Sequence, residues 1–188
     1  SKNYAKTFYK SYFLKSSKSL PFIDAKLAIS RDYYTINKKK KWITNSKSRN
    51  LGNFLRSQYD SLLTTSKTVN DDNPLLDCRI EGLEKKTPSL IILDRYLKIK
   101  TNAKIFNKVN RKIYILTRVN NKLKENFLKT KGVKIIKLNY FEHKDINLSK
   151  IFIILKKLGY NRIFVECGST LLSLLVREKL VKNLYLFK

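Results

Sequence analysis

The sequence predicts an α/β fold, in which a mainly parallel β-sheet is covered by helices on both faces to give three layers. Short apolar runs of strand length alternate along the chain with amphipathic segments of helical length. Apolar residues make up 43% and aromatic residues 12% of the 188 residues, which is typical of one folded domain with a substantial core. Only 5 Gly and 3 Pro are present and no internal repeat is found, so flexible linkers are not predicted within the domain.

The first half of the chain predicts an arm, two strands and a helix. Residues 1–20 are basic and aromatic without a clear period, and we expect them to be an arm or linker. Residues 21–30 alternate between apolar and polar side chains, as a strand does. Apolar residues at helical spacing predict a helix over 45–58, and a short strand is predicted over 60–65. Residues 66–88 are polar and rich in turn-forming residues, which predicts a long loop.

The second half continues the alternation of strands and helices. Strands are predicted at 89–94, 112–117, 133–138, 162–166 and 184–187, and helices at 121–129, 147–159 and 169–180. The helix at 147–159 has the clearest pattern, with one apolar face formed by Leu148, Ile151, Phe152, Leu155 and Leu158. The last strand ends at Lys188, so we expect a truncated sequence that lacks its C-terminal strands.

The charge is strongly positive, because 41 Lys and Arg residues face 14 Asp and Glu residues for a formal net charge of +27. Such a charge is typical of nucleic-acid-binding proteins. The lysines are nevertheless scattered through every segment, as an A/T-rich coding sequence would produce, and the only dense run lies at 37–42. We therefore keep nucleic-acid binding as a secondary hypothesis, since a basic surface also attracts phosphorylated small molecules.

Membrane insertion, secretion and metal binding receive no support. No apolar run approaches the roughly 18 residues that a bilayer span requires, and residues 1–20 lack the apolar centre of a secretory signal. We expect a cytoplasmic protein. Cys78 and Cys167 have no C-x-x-C spacing, and His143 is the only histidine, so neither a metal site nor a histidine-based triad is predicted.

Two side chains in the first quarter of the chain are candidates for binding. Lys26 lies in the middle of a strand, where burying a lysine is costly unless it pairs with an opposite charge or has a functional role. The alternative is an edge strand with Lys26 in solvent, and the periodicity slightly favours that alternative. Trp42, the only tryptophan, is either a packing residue or a flat surface for a planar ligand.

Further candidates lie where strands end. Gly168, Ser169 and Thr170 open a helix directly after a strand that ends on Glu166, so they either cap the helix or bind an anion there. The stretch 64–79 also follows a strand, where open α/β sheets bind ligands.

Two arginines belong with that stretch. Arg56 precedes it and Arg79 ends it, and together they could clamp a phosphate or be ordinary surface charge. Neither standard glycine-rich nucleotide fingerprint is present.

Five segments in order and at compatible spacing resemble one known family. They are KLAISRD at 26–32, WIT at 42–44, FLRSQYDSLLTTSKTVNDDNPLLDCR at 54–79, LD at 93–94 and VECGSTL at 165–171. They resemble the reductase domain of the bifunctional riboflavin-biosynthesis deaminase/reductase, whose fold is like that of dihydrofolate reductase. The resemblance assigns 21–188 to the reductase domain and 1–20 to the stretch that joins it to the deaminase domain.

The resemblance implies an NADPH-dependent reductase that converts the ribose of 5-amino-6-(5-phosphoribosylamino)uracil into a ribityl chain. A related reductase acting on another pyrimidine or a pterin is the enzymatic alternative. The resemblance also implies a zinc deaminase domain upstream and assembly into homo-oligomers. The deaminase signature, H-A-E with P-C-x-x-C, is absent from the 188 residues themselves.

The family's functional positions carry over residue by residue. The catalytic pair is Lys26 and Glu166. The cofactor positions are Ala28, Trp42, Thr68, Asp72, Gly168, Ser169, Thr170, Leu171 and Leu172, and the substrate positions are Lys40, Arg56, Leu76, Arg79 and Glu166.

Three residues depart from the family pattern. Tyr33 replaces a glycine, Lys40 replaces a serine, and Arg95 replaces a small hydroxyl residue. Lys40 remains a candidate for the substrate phosphate and Arg95 a candidate for the 2′-phosphate of the cofactor.

Overall fold

The computed structural model describes residues 20–30, 46–107, 111–138 and 147–188. Its strands are β1 Phe22–Ala28, β2 Ser61–Thr65, β3 Ser89–Leu93, β4 Ile113–Thr117, β5 Val133–Lys137, β6 Arg162–Glu166 and β7 Asn183–Phe187. Its α-helices are α1 Ser46–Arg56, α2 Ser66–Asp72, α3 Lys122–Thr130, α4 Leu148–Lys157 and α5 Ser169–Arg177. Two short 3₁₀ helices cover Glu84–Lys86 and Lys104–Phe106.

The strands of these described ranges form one sheet in the order β5-β4-β3-β2-β6-β1-β7, and each neighbouring pair is parallel. The predicted α/β class is therefore confirmed. A parallel sheet needs a crossover between successive strands, and the helices supply most of these crossovers. The strand order places β6, late in the sequence, between β2 and β1.

The core has one apolar layer on each face of the sheet. On one face, α4 and α5 pack through residues such as Phe152 and Leu175. On the opposite face, α1, α2 and α3 pack through Leu55, Val69 and Leu128. Because successive strand residues point to opposite faces, each buried strand contributes to both layers, which explains its continuous apolar run.

The interpretation of 66–88 as one long loop was wrong at its start, because 66–72 form α2. The backbone N–H of Thr68 donates to Oγ1 of Thr65 at 3.2 Å, which caps the helix. Asn73 takes a left-handed conformation and its N–H donates to the carbonyl of Val69, which ends the helix. Only Val69 of α2 is buried, so the helix lacks the apolar periodicity by which longer helices are detected.

The helix predicted over 147–159 is shorter than expected. α4 ends at Lys157, and Leu158, assigned to its apolar face, is 45% exposed at the C-cap. Gly159 follows with φ of 96°, a left-handed conformation that favours glycine and directs the chain towards β6.

Candidate active site

The candidate site lies at the carboxyl ends of β1, β2 and β6. The chain runs outward from β2 through β3 and β4 to β5, and then returns to insert β6 beside β1. Connections therefore leave this part of the sheet in opposite directions, and such a switch point opens a crevice outside the carboxyl ends of the strands.

Lys26 and Glu166 face each other across β1 and β6 in the parallel register. Both lie on the face packed by α1, two residues after Asp24 and Phe164 respectively. The expectation of a solvent-facing edge strand was wrong, because β1 pairs with β6 on one side and β7 on the other. The Lys26 ammonium also lies 5.5 Å from the ring centre of Phe187 on β7, a cation–π distance.

Arg56, the last residue of α1, holds Glu166 through two parallel hydrogen bonds. Nε of Arg56 donates to Oε1 at 2.6 Å and Nη2 donates to Oε2 at 3.0 Å. The side chains of Arg56 and Glu166 are only 13% and 10% exposed. Nη1 of Arg56 also donates to Oδ1 of Asn53 and to the backbone carbonyl of Asp77. The guanidinium thus joins α1, β6 and the loop after α2.

Charge compensation keeps Glu166 ionised. Burial alone would raise the pKa of Glu166, but the charge and hydrogen bonds of Arg56, together with the charge of Lys26, hold that pKa below its usual value. Burial correspondingly disfavours the charged form of Arg56, and its pairing with Glu166 overcomes that effect and raises its pKa. The site therefore presents a fixed carboxylate beside a lysine.

Asp72 and Thr68 lie on the short helix α2, which follows β2. Burial and the charge of Asp71 raise the pKa of Asp72, while the charge of Lys26 opposes that shift. Lys26 thus acts electrostatically on carboxylates from two elements, Glu166 and Asp72. Thr68 lies in the first turn of α2, where its hydroxyl is 3.0 Å from Oγ1 of Thr65.

The residues that follow Glu166 form the start of α5. Gly168 is the N-cap residue, and a Cβ added to it would meet no atom within 4 Å. Ser169 and Thr170 are exposed, whereas the side chains of Leu171 and Leu172 are buried in the core. The N–H of Leu172 donates to the carbonyl of Gly168. The amide groups of 169–171 precede it in the first turn, where helices bind anions.

The loop after α2 carries two further predicted residues. The side chain of Leu76 is buried, so contact with a ligand would fall to its backbone. Arg79 is half exposed, and its Nε lies 3.2 Å from Oδ1 of Asp77. Arg79 therefore reaches the Arg56–Glu166 pair only indirectly, because it is the backbone carbonyl of Asp77 that Arg56 binds.

The remaining predicted residues divide into two groups. Ala28 ends β1 and pairs with Phe187. Arg95 follows β3 with its guanidinium 5.3 Å from the ring centre of Tyr96. The other group, formed by Tyr33, Lys40 and Trp42, lies outside the described residues, as does His143.

Sequence reasoning missed three contacts of the site, made by Asn53, Asp77 and Phe187. Asn53 lies one helical turn before Arg56, which is a detectable signal for a helix-surface pair. The contacts of Asp77 and Phe187 depend on how distant segments come together, so no local pattern reveals them.

The family model described as the RibD C-terminal domain matches residues 21–187. The chain belongs to the RibD C-terminal domain family. The family named from the resemblance is thereby confirmed, and with it the α/β fold like that of dihydrofolate reductase.

Two curated relatives illustrate the family. The chain is 30% identical over 185 residues to the riboflavin biosynthesis protein RibD of Aquifex aeolicus, covering 97% of this chain and 50% of that protein. It is 29% identical over 165 residues to the 5-amino-6-(5-phosphoribosylamino)uracil reductase of Buchnera aphidicola subsp. Acyrthosiphon pisum, covering 80% of this chain and 75% of that protein. The chain spans about half the length of most of the RibD proteins that it matches.

Solved structures show the same fold. RibD of Acinetobacter baumannii superposes with a TM-score of 0.79 at 21% identity, over 97% of this chain and 50% of that one. The riboflavin biosynthesis reductase Rib7 of Saccharomyces cerevisiae superposes with a TM-score of 0.70 at 23% identity, over 97% of this chain and 80% of that one. No helix within the described ranges has the length and apolar character needed to cross a membrane.

Proposed function

We propose that this chain is the reductase domain that uses NADPH to reduce the ribose of 5-amino-6-(5-phosphoribosylamino)uracil in riboflavin biosynthesis. The observation that carries the proposal is the group formed by Lys26, Glu166 and Arg56 at the carboxyl end of the sheet, in a chain of the RibD C-terminal family. The relative named for this reaction covers most of the chain. Family membership implies a nicotinamide cofactor in general, and NADPH is the specific proposal.

The residues present fit a dinucleotide. The start of α5 offers backbone amide groups and the positive end of a helix dipole, with open space above Gly168. Thr68 and Asp72 on α2 and Ala28 at the end of β1 lie at the same edge of the sheet. We propose that these residues hold the cofactor, and that Trp42 adds a flat surface for it. When bound, the nicotinamide supplies the hydride that goes to C1′ of the opened sugar.

The protein groups would align and polarise the sugar. Lys26 donates a hydrogen bond to the oxygen or nitrogen on C1′, where charge changes during reduction. Glu166 accepts hydrogen bonds from sugar hydroxyl groups, and Arg56 holds its carboxylate in one orientation. We propose Lys40 and Arg79 as contacts for the substrate phosphate. The net charge of +27 favours such an anionic substrate.

Replacement of Lys26 tests the proposal. Lys26→Met removes the donor near C1′, and we expect kcat to fall about 10²–10³-fold, as for loss of one donor to developing charge. Binding of the nicotinamide cofactor, followed by calorimetry, should change little. Lys134→Met is a matched control, because Lys134 lies on β5 with an exposed side chain and should tolerate the change.

The assay follows oxidation of NADPH by the complete encoded protein with the deaminated pyrimidine phosphate as substrate. A folded protein that binds NADPH but does not turn over this substrate would contradict the proposed function. Retention of most activity by Lys26→Met would contradict the role of Lys26 alone. Turnover of a pterin or another pyrimidine in place of this substrate would identify the related reductase instead.

One proposed partner follows from the lengths of the relatives. Because the chain spans about half of several RibD proteins, we propose that a zinc deaminase domain precedes it, with residues 1–20 as the joining segment. We also propose that the complete protein forms homo-oligomers. Sequencing of the coding region upstream of Ser1 tests the first proposal, and the mass of the complete protein in solution tests the second.

A further inference from the structure

Arg111 lies two residues before the start of β4 and reaches across to the loop that follows α2. Its Nη1 donates to the carbonyl of Leu76 at 2.5 Å, and its Nη2 donates to the carbonyl of Leu75 at 2.6 Å. These partners are 35 and 36 residues away in the sequence. The planar guanidinium fits two successive carbonyl groups, which the single ammonium of a lysine cannot match.

The next carbonyl of the same loop belongs to Asp77, and Arg56 binds it at 3.0 Å. Three successive carbonyls, those of 75–77, are thus held by two guanidinium groups from different parts of the chain. Arg56 also holds both carboxylate oxygens of Glu166. One connected set of hydrogen bonds therefore runs from Arg111 through the loop to the catalytic carboxylate.

The loop has a backbone conformation that its sequence does not favour. Leu76 has φ of 55°, in the left-handed region, which is unfavourable for a residue with a branched side chain. Such a conformation persists where the surroundings fix it, as they often do at functional sites. Here the side chain of Leu76 is buried and its carbonyl is bound by Arg111, so packing and hydrogen bonding act on the same residue.

Electrostatics alone disfavour the charged form of Arg111 at this position. Burial lowers the pKa of Arg111 to about 10, the charge of Arg56 adds to that effect, and the charge of Asp77 opposes it. Placing a second guanidinium near Arg56 is unfavourable by charge alone. Its hydrogen bonds to the carbonyls of Leu75 and Leu76 orient the backbone and offset that cost.

We propose that Arg111 is a positioning residue for substrate binding, which fixes residues 75–77 against the Arg56–Glu166 pair. The inference rests on the proposed function, because it takes that pair as the place where the sugar is bound. Loss of Arg111 should loosen the loop, weaken binding of the pyrimidine substrate, and leave the nicotinamide side of the crevice unchanged.

The test compares Arg111→Met and Arg111→Lys in the complete encoded protein. For Arg111→Met we expect the KM for the pyrimidine phosphate to rise about tenfold, the equivalent of about 1.4 kcal/mol. The KM for NADPH should stay within about twofold, since its proposed residues lie outside the 75–77 stretch that Arg111 binds. Arg111→Lys keeps the positive charge but not the planar pair of donors. Its KM for the pyrimidine phosphate should lie between that of Arg111→Met and that of the unchanged protein.

Two control variants separate positioning from general loss of stability. Ile115→Val trims a buried side chain on β4 and should lower stability without changing either KM. Arg177→Lys changes an exposed arginine at the end of α5 and should change nothing. If Arg111→Met leaves the pyrimidine KM unchanged, or raises both KM values equally, the proposal is overturned.

A second measurement does not depend on activity. Amide hydrogen exchange of 75–79 in the absence of ligands should be faster in Arg111→Met than in the unchanged protein or in Ile115→Val. Unchanged exchange there would overturn the claim that Arg111 fixes the loop. If the unchanged protein binds NADPH but does not turn over the pyrimidine, the proposed function fails on its own. The exchange result still decides whether Arg111 holds these residues.

Discussion

Glu166→Gln isolates the interaction at the centre of the candidate site. The substitution keeps the shape of the side chain but removes its charge and replaces one carboxylate oxygen with an NH₂ group. In the unchanged protein both oxygens accept from Arg56, at 2.6 and 3.0 Å, in a pair that is at most 13% exposed. The variant therefore leaves the buried guanidinium of Arg56 without its counter-charge. It also places the NH₂ group of the glutamine against an N–H donor of Arg56.

The structure sets the expected size of the effect. Removal of one partner from a buried ion pair costs about 3–5 kcal/mol, because the remaining charge is uncompensated. Arg56 retains its bonds to Asn53 and Asp77, so we place the loss for Glu166→Gln at the lower end, about 3 kcal/mol. The whole domain is expected to be stable by only about 5–15 kcal/mol, so the loss is large in proportion.

The pH dependence provides an independent signature. The pKa of Glu166 is lowered below 4.5 in the folded state, so the unfolded chain binds the proton more tightly. Glu166 then contributes its full stabilisation at pH values above its unfolded-state pKa of about 4.5. That contribution is lost as the pH falls through the folded-state pKa. Glu166→Gln should remove this component, and its stability should change less with pH across that acid range.

Denaturant unfolding of both proteins at neutral and acid pH measures these effects. Asp71→Asn is the control, because it removes the carboxylate of an exposed ion pair with Lys67 and should lower stability only slightly. The double variant Arg56→Gln/Glu166→Gln should recover part of the lost stability. A loss below about 1 kcal/mol for Glu166→Gln, the value typical of surface pairs, would refute the view of this pair as buried and mutually dependent.

Three further outcomes are expected. Tyr59→Phe removes the hydroxyl that donates to Oδ2 of buried Asp24 at 2.6 Å, and denaturant unfolding should show a loss of about 1–3 kcal/mol; an unchanged midpoint would show that the bond adds nothing. Asp94→Ala removes the carboxylate that accepts from the backbone N–H groups of Lys98 and Ile99, and the free energy of unfolding should fall by about 2 kcal/mol. Equal stability would mean that water replaces the carboxylate. Burial raises the pKa of Cys167 to about 12, so a thiol reagent at neutral pH should label it much more slowly in the folded than in the unfolded protein, and equal rates would contradict this burial.

The sequence predicted most of the fold because its elements have strong local signals. The apolar runs at 89–94 and 112–117 gave the interior strands β3 and β4, in which every residue except Ser89 is buried, as a parallel sheet requires. α2 escaped detection because a seven-residue polar helix with one buried side chain has almost no periodicity. The exposure of Leu158 depended on where α4 ended, which its apolar pattern did not specify.

Several residues named from the resemblance lie together in the structure, but the sequence did not reveal their contacts. The resemblance named Lys26, Arg56 and Glu166, yet the sequence left open whether Lys26 faced solvent. That question depended on strand order, because β1 is enclosed only after β6 and β7 have paired with it. The roles of these residues in catalysis and binding stay predictions for the experiments above.

The sequence by itself determined the alternation of strands and helices, the family of the chain and the residue types available at the carboxyl ends of the strands. Local periodicity and short motifs encode these features, since each depends on neighbours within a few residues. Only the tertiary structure decided the pairing of Arg56 with Glu166 and the hydrogen bonds from Arg111 to the carbonyl groups of Leu75 and Leu76. Those contacts join groups 110 and 35 residues apart, so they exist only once the sheet has brought its strands together.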